Sequence, residues 1–356
     1  MMAIVVGLSL IMKGNKKGST TFIFFSAIAM FVVMGLREAT LIGIDSASSY
    51  LHDFQDITAM DWESFKATYV GFNAGFFYLM KIVSQLSHGN YQVFIIVISA
   101  FIIICLAHFV NRHSVSPIQS FCYYWGLLYY IFMFSTEKQA VAMAFLLLAF
   151  DAVMDERPLK FILLVAIATQ FHFPSLVFLP AYLIAKMKIE RYYIPVLIAA
   201  LIVTYIFRDD ILRLMLMTYG GDEIEASMEG IALLRTKSII MIGIVIAAIL
   251  LRVPNEEDRL YSILLKFMGV AIIFQMFCGY NNIFERLADY YFQFSIVFIP
   301  LVFERGEDIQ FKINAKAANF IKLVSPLIFS GYGIFRFAMY IESQVGVFLP
   351  YVFCFE

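Results

Sequence analysis

Long apolar runs, broken at intervals by short clusters of charged residues, organise this chain. A helix that crosses about 30 Å of hydrocarbon needs about 20 apolar residues, and somewhat fewer where the bilayer thins. The runs predict spans at 1–12, 19–36, 91–110, 117–134, 139–154, 161–171, 174–185, 192–207, 239–251, 262–278, 288–303 and 323–340. Between 67 and 88 the sequence TYVGFNAGFFYLMKIVSQLS carries two glycines, Asn73 and Lys81, which predicts a re-entrant or interfacial helix rather than a full crossing. Two longer connections, 37–66 and 208–238, are acidic. The first holds Tyr50, Phe54 and Trp62 among its acids, a pattern that predicts an ordered cap rather than a tail.

Composition turns this pattern into a class. Residues of the AVILMFWYC set make up 62% of the 356, charged residues only 15%, and mean hydropathy is +0.82. A water-soluble fold could not hide that much apolar surface, since soluble domains are about 45–50% apolar. The prediction is an all-α, polytopic bundle of about 10–12 membrane helices, a single transmembrane domain over 1–356 with outer loops near 37–90 and 208–238. More than half of the 26 Lys and Arg residues fall on one side of the predicted spans, and that side is assigned as cytoplasmic. The apolar run 1–12 precedes Lys13, Lys16 and Lys17, the reverse of the order in a cleavable signal. Net charge of −1 offers nothing to a nucleic acid. The four cysteines sit singly in apolar stretches and read as small buried hydrophobes, not as a disulfide or zinc set.

Ionisable groups near membrane depth are costly, so each is a candidate for function. Arg37 ends the second run, in GLREATLIGIDSASSYL, on the side otherwise poor in basic residues; it either snorkels to headgroups or binds an anion, and Asp45 in the Gly43-Ile44-Asp45 turn either pairs with it or acts on a hydroxyl. Lys138 and Gln139 open a helix after Glu137. A lysine there opposes the helix dipole, which a bound anion would relieve and a salt bridge to Glu137 would also explain. His172, in ATQFHFPSLVFLP, sits at a break made by Pro174, as a packed imidazole or as a proton acceptor for a hydroxyl. Arg286 has Glu285 and Asp289 as nearby partners; Arg213 lies in RDDILR, and Arg336 is placed deep in GYGIFRFAMY. Together these cations suit a diphosphate, which arginine grips bidentately. No Walker loop, GxGxxG, HExxH, GxSxG or DxD pair is present, so no cofactor or metal is expected and leaving-group charge falls to Arg and Lys. Asp53 and Asp56 read as part of a solvated loop.

With these residues in view, the chain resembles the EpsG family of Wzy-like bacterial polysaccharide polymerases. The resemblance runs through GLREATLIGIDSASSYL, GFNAGFFYLMKIV, EKQAVAMAFLLLAF, LKFILLVAIATQFHFPSLVFLPAYL, NNIFERLADYYFQF and the terminal FLPYVF. It implies an integral-membrane glycosyltransferase similar to the GT-C type, in the bacterial cytoplasmic membrane, joining repeat units carried on undecaprenyl diphosphate at the outer face. Its implied surroundings are the lipid bilayer, a chain-length regulator and a flippase. Carried over by position, Arg37, Asp45, His172 and Arg286 match the family's pattern. Lys138 stands where the family usually has Arg, which loses the fork geometry, and Asn73 stands where it tends to have Glu, which removes a carboxylate there. A lipid-linked oligosaccharide flippase or transporter, and a membrane O-acyltransferase acting on glycans, are the alternative functions.

Overall fold

The computed structural model describes residues 16–43, 45–188, 192–216, 235–251, 258–303, 315–343 and 351–355. The expected span at 1–12, the middle of the second acidic loop and Ile44 of the Gly43–Asp45 turn lie outside them. The described residues form helices joined by turns and loops, with one isolated antiparallel bridge, Arg37 to Phe353. The chain is a polytopic membrane protein of the all-helical class. Among the described residues three helices, Tyr91–His113, Arg259–Met276 and the Leu323–Tyr340 stretch, are long and apolar enough to cross a membrane, and six shorter apolar helices accompany them.

The chain divides into two compact units. The first comprises Met1–Leu148, Ala166–His172 and Ser325–Glu356, and the second Ala149–Val165 and Phe173–Val324. In chain order the helices of the first half are α1 (Lys16–Gly35), α2 (Leu51–Ala59), α3 (Trp62–Thr68), α4 (Ala74–Leu86), α5 (Tyr91–His113), α6 (Pro117–Gly126), α7 (Tyr129–Phe132), α8 (Glu137–Met154) and α9 (Pro158–Phe171). They continue with α10 (Ala181–Lys186), α11 (Tyr193–Ile206), α12 (Arg208–Leu216), α13 (Thr236–Leu251), α14 (Arg259–Met276), α15 (Ile283–Phe292), α16 (Ser295–Val302) and α17 (Ala315–Ser343).

In the first unit α1 packs along α5, and α6 against α1. Asn90 starts α5 by accepting the Gln92 N–H at 2.9 Å, satisfying one of the donors every helix start leaves over. The Gln92 side chain then ties α5 to the end of α1, donating to the Gly35 carbonyl at 2.8 Å and accepting from Ala39 at 3.1 Å. The expected span 117–134 breaks at Leu128, whose φ of +68° lies in a region uncommon for leucine. The break is held by Tyr130, which donates to the Met30 carbonyl at 2.7 Å. Glycine lets α17 touch α6: a Cβ on Gly126 would lie 2.2 Å from the Phe329 carbonyl oxygen, so only a bare α-carbon fits.

The acidic loop 37–66 is an ordered layer, as its aromatics suggest. A π-helical turn over Ser46–Tyr50 runs into α2, and α2 packs on α4. Phe54, Ile57 and Phe65 are buried, and Trp62 stands edge-on to Phe65. Asp61 caps α3 by accepting the Ser64 N–H at 2.7 Å. Lys81, on α4, is buried and donates to the carbonyls of Ile57 (2.9 Å) and Met60, which end α2 without helical partners. At 13 residues α4 is about 20 Å long, shorter than the hydrocarbon core is thick. Asn73 precedes it with φ of +61°, a conformation asparagine tolerates and glutamate does not favour.

The second unit is built on α14 and α15. Phe150, Phe178, Phe267, Tyr291 and Phe294 interlock at its core. Asp258 caps α14 through the Tyr261 N–H at 3.0 Å. The expected span 174–185 is instead a 3-10 turn, Phe173–Phe178, followed by the short α10, because Pro174 and Pro180 each lack the N–H that an uninterrupted α-helix would use. The span expected at 288–303 begins earlier, at Ile283, and is divided between α15 and α16. Lys266 is buried, and its ammonium is satisfied by the carbonyls of Ala185 and Met187, at 3.4 and 2.5 Å. None of the four cysteines forms a disulfide.

Candidate active site

Two adjacent residues at the start of α8 meet very different surroundings in the first unit. Glu137 is fully buried, at 0% exposure, and faces Arg37, at 1%. The Arg37 Nη2 lies 3.2 Å from Glu137 Oε1 and also donates to Ser46 Oγ at 3.2 Å. Its Nη1 donates to the Met34 carbonyl at 2.6 Å and its Nε to the Ile42 carbonyl at 3.2 Å. Tyr91 extends the network by donating to the Ser46 carbonyl at 2.9 Å. Gly43 makes this packing possible: its φ is +110°, and a Cβ there would lie 2.5 Å from the Phe134 carbonyl oxygen. The residues 352 and 354 close the far side, accepting from Glu38 and donating to the Leu36 carbonyl, each at 2.9 Å.

Arg37 therefore does not stand in an open space ready for a diphosphate. It is a buried strut whose carboxylate partner is Glu137, not Asp45. Asp45 itself is half-buried at the start of the Ser46–Tyr50 turn and acts electrostatically on both Glu137 and Lys138.

Lys138 is 19% exposed, and its Nζ lies 3.8 Å from Asp53 Oδ2, an ion-pair distance too long for a hydrogen bond. Three rings surround the ammonium, with centroids at 4.2 Å (Phe77), 5.2 Å (Tyr50) and 5.5 Å (Phe76). Such contacts stabilise a cation without using its N–H donors. The salt bridge expected to Glu137 is absent because Arg37 holds that carboxylate. Burial pushes the Asp53 carboxyl above its ordinary value; Lys138 opposes the rise, Asp56 adds to it and His52 opposes it. Tyr69, packed on Phe77, has its hydroxyl pushed up by burial and then by Asp53 and Asp56.

The remaining candidates are spread through both units. Gln139 is buried one residue further along α8. His172 is buried at the end of α9, where its N–H closes the last turn onto Ala168 at 2.9 Å and the 3-10 turn begins, as the Pro174 break predicts. Gly75 brings α4 against this region, since a Cβ there would meet the Gln170 backbone oxygen at 3.0 Å. Arg336, placed deep from sequence, has an exposed side chain on α17.

In the second unit Arg286 is half-buried on α15, and the two acids beside it also meet a second cation. Lys237 takes both Glu285 (3.1 Å) and Asp289 (2.7 Å). Arg213 is exposed on α12. Nearby, Asp209 accepts from the Tyr280 hydroxyl, and that hydrogen bond is the main cause of a raised Tyr280 value.

Asp53 is the residue that sequence reasoning passed over. A signal was present: Tyr50, Asp53, Phe54 and Ile57 share one helical stripe, so the carboxylate faces inward with the aromatics.

A model described as the EpsG family matches residues 20–353. No curated protein and no solved structure matched the chain.

Proposed function

The chain belongs to the EpsG family, whose members are Wzy-like polysaccharide polymerases, and from that premise we propose that it joins undecaprenyl-diphosphate-linked oligosaccharide repeat units at the outer face of the bacterial cytoplasmic membrane. The reaction is a glycosyl transfer without a metal ion. An acceptor sugar hydroxyl attacks the anomeric carbon of the donor glycan, the new glycosidic bond forms, and undecaprenyl diphosphate leaves with the bonding pair.

The observation that carries this reading is Lys138. Among the described residues it is a largely enclosed ammonium, held by rings and one distant carboxylate, with its donors uncommitted. It stands in the first turn of an 18-residue helix, where backbone N–H groups also favour an anion. Lys138, with Gln139 beside it, receives the departing diphosphate. Arg37 acts at one remove, holding the start of α8 and the Gly43–Asp45 turn in place. Arg336, in the same unit, is a further cation for the lipid diphosphate. His172 or Asp45 orients or deprotonates the acceptor hydroxyl. Of the aromatics considered as sugar platforms, Trp62 is 37% exposed and Tyr50 is 9% exposed, which favours Trp62.

The test uses the full-length protein in vesicles with undecaprenyl-diphosphate-linked oligosaccharide, with and without EDTA. A ladder of polymer that survives EDTA supports the proposal. Translocation without bond formation would identify a flippase, and neither outcome, with acyl transfer to the glycan, would identify an acyltransferase.

A further inference from the structure

Four lysines among the described residues are buried or half-buried, and three of them are each committed to two oxygens. Lys81 donates to two carbonyls, Lys266 to two carbonyls, and Lys237 to two carboxylates. Lys138 donates no hydrogen bond among the described residues, and the carboxylate facing it, Asp53, accepts none. An ammonium offers three donors and a carboxylate about four acceptor sites, so the gap between them can serve a polar guest from both sides. Both side chains remain in contact with solvent, at 19% and 33% exposure. The rings of Phe77 and Tyr69 lie beside them.

We propose that Asp53 is the proton acceptor for the attacking sugar hydroxyl, working opposite Lys138 in one acceptor–donor cleft and leaving to His172 or Asp45 only the orienting of the acceptor. The inference rests on the polymerase reading above. A hydroxyl within hydrogen-bond reach of Asp53 Oδ2, and a phosphoryl oxygen within reach of Lys138 Nζ, would flank a single anomeric carbon. As the hydroxyl oxygen bonds to that carbon, its proton passes to the Asp53 carboxylate. The bond from carbon to the diphosphate oxygen breaks, and the leaving group takes the electron pair to Lys138. The proton then leaves Asp53 for water through its exposed edge. A carboxyl value raised by burial suits this task, because it brings the base closer to the operating pH.

The experiment compares wild type with Asp53→Asn, Asp53→Glu and Asp56→Asn as full-length proteins in vesicles, supplied with undecaprenyl-diphosphate-linked oligosaccharide. Chain extension by Asp53→Asn should fall by about 100-fold or more, with binding of the lipid-linked oligosaccharide and the melting temperature unchanged. Asp53→Glu should recover a measurable part of the rate, and Asp56→Asn should extend at close to the wild-type rate. Wild-type extension by Asp53→Asn would overturn the assignment, as would loss of binding in parallel with extension. Absence of extension by wild type would instead remove the polymerase reading, and this assignment with it.

Discussion

Glu137 and Lys138 are neighbours in sequence, yet one is locked into architecture and the other is left with chemistry to offer. Glu137 meets Arg37 in a pocket closed to water, and the guanidinium is consumed by the Met34 and Ile42 carbonyls and Ser46 as well. Lys138 meets rings and an ion-pair partner at 3.8 Å. A buried charge tolerates no unmet demand unless something else arrives to meet it. Saturation thus marks a structural charge, and lack of saturation in a polar, accessible cleft marks a site. By this criterion Arg37, Lys81, Lys237 and Lys266 are structural charges and Asp53 falls with Lys138; Glu137 is held against Arg37 through one oxygen, its other oxygen having no hydrogen-bond partner among the described residues.

The largest effect that can break this comparison lies in the locked pair. Arg37→Met alone, or Glu137→Met alone, leaves an uncompensated buried charge and should cost about 3–5 kcal/mol, seen as a sharp fall in melting temperature and in protein abundance. The double substitution should recover much of that loss. If each single variant melts like wild type, the pair is not the strut described here.

Lys81 comes next. Lys81→Met keeps most of the volume but strands the Ile57 and Met60 carbonyls at the end of α2, at about 1–3 kcal/mol. Limited proteolysis should show the 51–86 layer opening first, and unchanged cleavage there would count against the capping role.

The smallest effect sharpens the acid side. The Asp61 carboxyl is held below its ordinary value of 3.8, chiefly by hydrogen bonds from Ser64. A depressed value means that its stabilisation is present above pH 3.8 and is lost as pH falls through the depressed value. Wild type should therefore melt slightly higher than Asp61→Ala at pH 7, with the gap closing in strong acid. A gap that is constant with pH would point to something other than the charged cap.

Much of the fold was legible because apolar runs must become helices in a bilayer, and the predicted positions of α1, α5, α8, α9, α11, α13, α14 and α17 follow those runs. The breaks were less legible. Leu128 carries no local mark of a left-handed residue, whereas Pro174 does announce a helix end. The cost of burying Arg37 was evident from its place, but its partner lies 100 positions away, beyond any local pattern. That distant pairing is also why Lys138 was credited with Glu137, and why Asp53, three residues from Asp56 in an acidic loop, read as solvated. The aromatic stripe it shares with Tyr50, Phe54 and Ile57 was the one local sign, and the packing of α2 on α4 turns that stripe inward.

The most direct measurement is made on Lys138→Met in vesicles with undecaprenyl-diphosphate-linked oligosaccharide, recording melting temperature and chain extension together. The account requires a melting temperature close to that of wild type with extension lost. Polymer made at the wild-type rate by a well-folded Lys138→Met protein would contradict it.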